Sequence, residues 1–525
     1  MKGRRIRNFA IPLLVVIAVG VWAMPALAQM TSTGLDCSQI GPMNLLKQDN
    51  MRAGATLVEC GIIPGGSGAN ATGDAVEGLP DGPPNVQVSN RSCTNAQSCT
   101  KSESFVWAST KDNGMTVVTN YNDHNGANYS GVSYSLDGGQ TFTQILPPPF
   151  ATGHGENFGD PIVVYNAKLD KWFAGDLVTG CGGQGIGLWT SPDGVTWSVG
   201  ACAHNGSSDD RESFWVDNEP TSQVYGRMYI SWNDFAVGGG ALSVIHSDDG
   251  VTWTAPTRIN GGFIRDVQVT GTPPGVLKSN NIVANTPKST VFVASMDEGG
   301  GGFATRQNII YRSTDGGLSW TNSNTGPRFA AAGDVSCGYF VAVAPIWRHM
   351  GWGEPGVGPS NVVHYVYAGA GTNGDHGDIF YVRSTDNGMT WSAPIQLNED
   401  ADAQFKTEWM PSLSVNQSGK VTVSWYDRSQ ATTACNVATD PGCSYNRYVR
   451  QSADNGKTWQ PSFAVSTVLI DQPQQQDTGV QSCYAGDYDY NTALHGTAYI
   501  TWTDGRVSVG GIHVQNVEFA EVPEP

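Results

Sequence analysis

RSTDNGMTWS, residues 383–392, places an aspartate and a glycine turn between a serine and a tryptophan. The same order recurs at Ser135 (SLDGGQTF), Ser191 (SPDGVTW), Ser247 (SDDGVTW), Ser313 (STDGGLSW) and Ser452 (SADNGKTW), six copies in all. Asp-Gly, Asn-Gly or Gly-Gly between alternating apolar residues supplies the positive-φ positions of a tight hairpin turn. The aspartates Asp137, Asp193, Asp249, Asp315, Asp386 and Asp454 can accept hydrogen bonds from N–H groups of their own turns. The closing aromatics Phe142, Trp197, Trp253, Trp320, Trp391 and Trp459 are large enough to fill a gap between adjacent sheets. The second and third copies are one residue shorter between aspartate and aromatic, which predicts a different turn in those two.

Successive aspartates lie 56, 56, 66, 71 and 68 residues apart, enough for a four-stranded blade and its loops. The first interval reads FVWAS (105–109), MTVVTNYND (115–123), GVSYS (131–135) and TFTQ (141–144). The next blades span Asp160 to Trp197, Glu212 to Trp253, Asp266 to Trp320, Asp334 to Trp391 and Glu408 to Trp459. Residues 486–506 and 511–522 then give three strands without a further copy, and NVQVS (85–89) can supply the fourth. The expected fold is all-β: one propeller of four-stranded blades over 84–522, closed by an N-terminal strand that removes the free sheet edge. Seven blades is the count, with six as the alternative. A chain of 525 residues would ordinarily suggest two or three domains, but an even repeat overrides that prior.

Residues 1–28 read as a secretory signal: Lys2, Arg4, Arg5 and Arg7, an apolar run from Ile11 to Trp22, then Ala26-Leu27-Ala28. A membrane anchor is the alternative, although the run falls short of the ~20 residues of a full span. The protein is therefore expected to be secreted, periplasmic or on the cell surface. Loss of the four basic residues takes the formal charge from −18 to −22. So acidic a chain repels polyanions, which excludes nucleic acid as a partner. Ten cysteines in an exported chain read as disulfides. Proximity suggests Cys37–Cys60, Cys93–Cys99, Cys181–Cys202 and Cys435–Cys443, leaving Cys337 with Cys483, although spacing does not fix the connectivity. Residues 29–83 hold a helix-like run (43–60) and a Gly/Pro-rich linker, read as a stapled extension lying on the propeller, and 523–525 form a tail.

Acids recur at two places in the blades. Asp123, Asp176, Asp234, Asp297, Asp427 and Asp504 end second strands, and Glu103, Asp160, Glu212, Asp266, Glu408 and Asp487 stand beside the starts of first strands. Strand order puts both sets on the face opposite the repeated turns. The second-strand set reads as caps of loop backbone. The first-strand set should ring the mouth of the central channel, where mutual repulsion raises pKa values. A carboxyl group held neutral can act as a general acid. A glycosidase needs two such groups, about 5–5.5 Å apart for retention or 6.5–9.5 Å for inversion. The same ring could hold Ca²⁺, and Asp487-Tyr488-Asp489-Tyr490-Asn491 offers a suitable alternation of oxygen ligands. Arg211, Arg265, Arg428 and Arg506 fall near this face as a possible anion clamp, and Tyr488 could face the channel. Tyr121, Trp232, Tyr426 and Trp502 could stack on sugar rings or belong to the core. There is no G-x-S-x-G, H-E-x-x-H, Walker loop or dinucleotide fingerprint.

The six turns resemble the Asp box of sialidases and related propellers. That resemblance implies an arginine triad for a substrate carboxylate, a tyrosine nucleophile backed by a glutamate, and an aspartate acid. Phe105-Val106-Trp107-Ala108 stands where sialidases carry F/Y-R-I-P, so their first arginine is not at that place. The expectation is a secreted, sialidase-like carbohydrate-active protein, a monomer whose partner is a glycan or glycoconjugate. As a glycoside hydrolase it would use Asp160, Glu212, Glu408, Asp487 and Tyr488 for catalysis, and Arg211, Arg265, Arg428 and Arg506 for substrate. The alternative is a non-catalytic propeller that binds glycan, calcium or a surface protein.

Overall fold

Strand pairing in the computed structural model turns the repeat, among the described residues, into a ring of seven blades, six of them four-stranded antiparallel sheets and the first a four-stranded antiparallel sheet with one added parallel strand. The structure describes residues 32–69, 75–76, 85–90, 99–125, 128–146, 148–273, 289–343, 347–400, 405–435 and 443–525. The innermost strands are Lys101–Ala108, Ile162–Asn166, Asp209–Val216, Val269–Gly271, Glu354–Val357, Glu408–Val415 and Thr492–Leu494, for blades one to seven. Each packs against the next around a central channel. Val86–Gln87 pairs with Asn516–Pro523, setting Val86 opposite Phe519, and so provides the fourth strand of blade seven. Buried Val88, Val106, Val117, Val517 and Phe519 form one apolar cluster across the seam between blades seven and one.

The Asp boxes act as the sequence implies. In the first, Ser135 Oγ donates to Asp137 Oδ1 (2.6 Å), and Thr141 donates to the same carboxylate through N (2.9 Å) and Oγ1 (2.6 Å). These bonds lower the Asp137 pKa to about 2. The two short copies close a tighter ring: Ser191 and Ser247 accept from the N–H three residues on, whereas Ser135 and Ser384 accept from the fourth. The aromatics bridge blades. Phe142 meets Phe519 of blade seven, Trp459 meets Tyr381 of blade five, and Trp391 Nε1 donates to Ser323 of blade four. Gly139 has φ 96°, and a Cβ there would lie 2.4 Å from the Phe519 ring, so the turn demands glycine on both counts.

Two local readings differ from expectation, and one open alternative is decided. Val335–Cys337, Phe340–Val343 and Trp347–His349 form a separate three-stranded sheet, so blade five begins at Glu354 rather than Asp334. Asp489–Tyr490 is no blade-seven strand; it runs parallel to Ser104–Phe105 as a fifth strand of blade one, within the channel. Tyr121, Trp232, Tyr426 and Trp502 are fully buried and belong to the core. Four of the six second-strand acids cap turns as expected, Asp234, Asp297, Asp427 and Asp504 accepting from the N–H two residues on, whereas Asp123 accepts from the Gln144 side chain and Asp176 from that of Asn120.

Ahead of the ring, residues 32–69 make a small unit with its own apolar cluster of Leu35, Leu45, Ala53 and Leu57. Helix α1 (Met51–Glu59) starts where Asn50 Oδ1 accepts from Ala53 N (2.9 Å). Cys37–Cys60 staples the unit, and Cys181–Cys202, Cys337–Cys483 and Cys435–Cys443 also form. Four disulfides fit an oxidising compartment. Cys93 and the signal-like residues 1–28 lie outside the described residues. Among those described, no helix is long and apolar enough to cross a membrane.

Candidate active site at the channel mouth

The first strands do not run straight into the mouth. Glu103 (φ 50°), Asp160 (60°), Arg211 (51°), Asp266 (60°) and Met410 (45°) adopt left-handed backbone at or just before the first strand of their blades. Register shifts between Ser102 and Ser104, Asp210 and Ser213, and Trp409 and Ser412 mark bulges there. A bulge re-aims side chains, and a non-glycine residue in this region costs about 1–3 kcal/mol. Such strain repeated from blade to blade is retained structure, and four of the five residues carry charge.

The re-aimed side chains meet at one place. Arg211 Nη1 and Arg265 Nη2 reach Asp49 Oδ2 at 3.2 and 2.5 Å, and Arg348 Nη2 donates to the Asp49 carbonyl at 2.5 Å. Each arginine has a second acid: Arg211 with Asp266 (3.1 Å), Arg265 with Asp210 (2.6 Å) and Arg348 with Asp487 (2.6 Å). Aromatic faces hold the guanidinium groups in place. Arg211 lies 4.1 Å from the Trp352 ring and 4.7 Å from that of Tyr488, and Arg348 lies 4.5 Å from Phe340. Exposure is 1% for Arg211, 0% for Arg265, and 2% for both Arg348 and Asp49.

Around this cation cluster stand acids that burial pushes upward. Asp160 rises well above its usual range by burial, then by the charges of Asp210, Glu103 and Asp49. Glu103 rises by burial and by Asp487, and Glu212 by burial and by Asp160. Burial lifts Asp210 to about 7 and Asp266 to about 6. Burial works on Asp49 too, but Arg265 and Arg211 outweigh it and hold that carboxyl below the usual range. Two of the groups left unpaired here belong to the expected catalytic set. Both carboxyl oxygens of Glu212 and the Tyr488 hydroxyl are buried without a hydrogen-bond partner. Unpaired buried polar groups cost free energy and are rare in folded proteins.

The structure brings Asp160, Asp487, Tyr488, Arg211 and Arg265 together, with Glu212 coupled to Asp160 and Tyr488. It sends three candidates elsewhere. Glu408 joins Asp375 and Asp378 in a buried acidic group, Arg428 lies against Trp409 and donates to Gln472, and Arg506 grips Asp504. The alternating oxygens of 487–491 also separate: Asp487 pairs with Arg348, Asp489 accepts from Ser104 and Tyr426, and Asn491 donates to Ser424. Sequence reasoning missed Arg348 and Asp49. Arg348 comes from the inserted sheet and Asp49 from the N-terminal unit, so neither shares the blade register. The adjacent pairs Asp210-Arg211 and Arg265-Asp266, each at a blade start, were the available signal. For a hard cation, Asp375, Asp378 and Glu408 offer oxygens within 4.8 Å of one another, and Glu408 Oε1 is buried without a hydrogen-bond partner.

No family model matches the chain, and no curated protein matches it. Solved structures resemble it at low identity. An α-L-arabinofuranosidase of Fusarium graminearum, solved with an iminosugar inhibitor, is 12% identical, with 84% of this chain and 97% of that one covered at a TM-score of 0.41. An ulvan lyase bound to a GlcA–sulfated rhamnose unit is 9% identical, with 87% and 96% covered at 0.45. A Hadza microbial sialidase is 14% identical, with 77% and 73% covered at 0.38.

Proposed function

We propose that this propeller is an exported, sialidase-like glycoside hydrolase acting on extracellular glycans whose reacting sugar carries a carboxylate. One observation carries the reading: Arg211, Arg265 and Arg348, from two blades and the inserted sheet, converge on one residue at the channel mouth, the first two on the Asp49 carboxylate and the third on its backbone carbonyl. The arginines hold the sugar's anionic group and so fix its ring. Asp160 and Glu212, kept neutral by burial, supply the proton for the departing glycosidic oxygen. Tyr488 attacks the anomeric carbon as its phenol proton passes to the Asp487 carboxylate, which is ion-paired with Arg348; water then attacks the same carbon, giving one proton back to the acid while Asp487 returns the other to the departing tyrosine. Asp487 orients Arg348.

The test is a hydrolysis screen with sialosides, uronate-terminated glycans and plant-type oligosaccharides. Because residues 32–69 cover the arginines, the screen includes an Asn44→Ala/Gln48→Ala variant, which loosens that unit. Turnover should fall about 100-fold or more in Glu212→Gln and Tyr488→Phe at unchanged thermal stability. Arg211→Met should raise KM. Sugar release indifferent to all three would remove these residues from the mechanism.

A second reading, a calcium-binding propeller without turnover, draws on the buried Asp375–Asp378–Glu408 group. Calcium binding there would raise the melting temperature with calcium and lower it with chelator, and Asp378→Asn would abolish the difference.

A further inference from the structure

The three arginines are occupied, and the occupant belongs to the chain itself. Asp49 precedes α1 in the stapled unit 32–69 and enters the cluster with both side chain and backbone. Its N–H and that of Asn50 donate to the Asp210 carboxylate at 3.2 and 3.1 Å, and Asn50 Nδ2 donates to it as well at 2.5 Å. The fit is incomplete. Asp49 Oδ1 has no hydrogen-bond partner, and the Nε atoms of Arg211 and Arg265 are buried donors without acceptors. A carboxylate on a free ligand, not tethered to a helix, could use those donors in a bidentate approach.

The unit also looks separable. Its apolar cluster is internal, and its seat on the ring is largely polar: Asn44 donates to the Gly239 carbonyl (3.1 Å), Gln48 to Ser208 (2.8 Å) and Arg52 to the Gly183 carbonyl (2.7 Å). The main apolar contact is Met51 against Tyr129, Val480 and Tyr484. Its far end is tied by backbone bonds from Gly66, Ser67 and Gly68 to residues 475–477. The closing strand Val86–Gln87 lies beyond that tie, so lifting 32–64 leaves the ring intact.

We infer that residues 32–64 are an inhibitory cap, and that Asp49 holds among Arg211, Arg265 and Arg348 the place of an anionic sugar's carboxylate. The site stays closed until the cap is lifted or outcompeted. The ligand class rests on the glycosidase reading above, whereas release of the cap does not, so the experiment reads the two separately. Hydrogen exchange follows the α1 amides in the wild type, in Asp49→Ala, and in Asn44→Ala/Gln48→Ala, which weakens the seat without touching the arginines. Calorimetry measures glucuronate and N-acetylneuraminate binding to the same proteins.

Both variants should exchange α1 at least tenfold faster with blade strands still protected, and should bind one of the sugars at least tenfold more tightly than wild type. High sugar concentration should speed α1 exchange in the wild type. Persistent α1 protection in both variants would make the unit a fixed part of the fold and overturn the cap. Equal sugar affinity in wild type and variants would overturn it while leaving the arginine site standing. Fast α1 exchange in the variants with no sugar bound by any protein would support a detachable unit but overturn Asp49 as the stand-in for an anionic sugar, and with it the glycosidase reading.

Discussion

Two aspartates show how setting decides what a carboxylate does. Asp386 sits half-buried at the surface, gathers bonds from Ser384, Met389 and Thr390, and organises a turn. Asp49 sits in the interior against three guanidinium groups and joins two parts of the molecule. Trp391→Ala, beside the first, should cost about 2–3 kcal/mol, below the fully buried range because the ring is only half-buried. Denaturant titration would read that loss, and sugar affinity should not change. A stable variant with binding abolished would move the functional site to the box face. Arg348→Met strips Asp487 of its partner in a dry site and should cost about 3–5 kcal/mol, measurable by the same titration. Wild-type stability there would mean that another cation had taken over Asp487.

Hairpins were the legible elements, because Asp-Gly and Asn-Gly turns are written into consecutive residues and need nothing from afar. The bulged first strands were legible only as a column of acids. Their left-handed backbone at Asp160 or Arg211 has no residue signature, since neither aspartate nor arginine advertises positive φ as glycine does. The inserted sheet and the parallel strand Asp489–Tyr490 were hidden for another reason: partners far apart in the chain, such as Cys337 and Cys483, set their places. Hence Arg348 escaped notice while Arg211 and Arg265 did not. The closing strand was legible by subtraction, three strands being left where four were needed. Its weight is testable at Val88, fully buried in the seam, where Asp in its place puts a charge in an apolar cluster. Val88→Asp should lower stability by at least about 3 kcal/mol in denaturant titration. A small effect would show that the ring stays closed without this strand.

At the scale of the whole ring, buried acids make stability depend on pH in an unusual direction. Burial raises Asp210 to about 7, Glu354 to about 8 and Glu524 to about 7. A carboxyl group raised on folding binds its proton more tightly in the native state, so its contribution is complete below the unfolded value and is lost as pH climbs through the folded one. The buried histidines His349 and His364, lowered to about 3 and about 4, act oppositely but only below about pH 6.5. Between pH 6.5 and 8.5 these acids titrate, joined in the same direction by His204, which Asp209 holds above its usual value against the effect of burial, and the melting temperature should fall, each group contributing up to about 1.4 kcal/mol per pH unit. Calorimetry across that window checks it, and a rising melting temperature would mean these carboxyls are ionised in the fold. Ring closure has its own consequence for how the molecule comes into being. Val86 waits for Phe519, a partner that synthesis supplies only after 432 intervening residues. Until then the six finished blades form an open crescent with a raw flank at each horn. A chain halted before Asn516 has no smaller ring to settle into, so the last stretch to emerge decides whether all the preceding work holds.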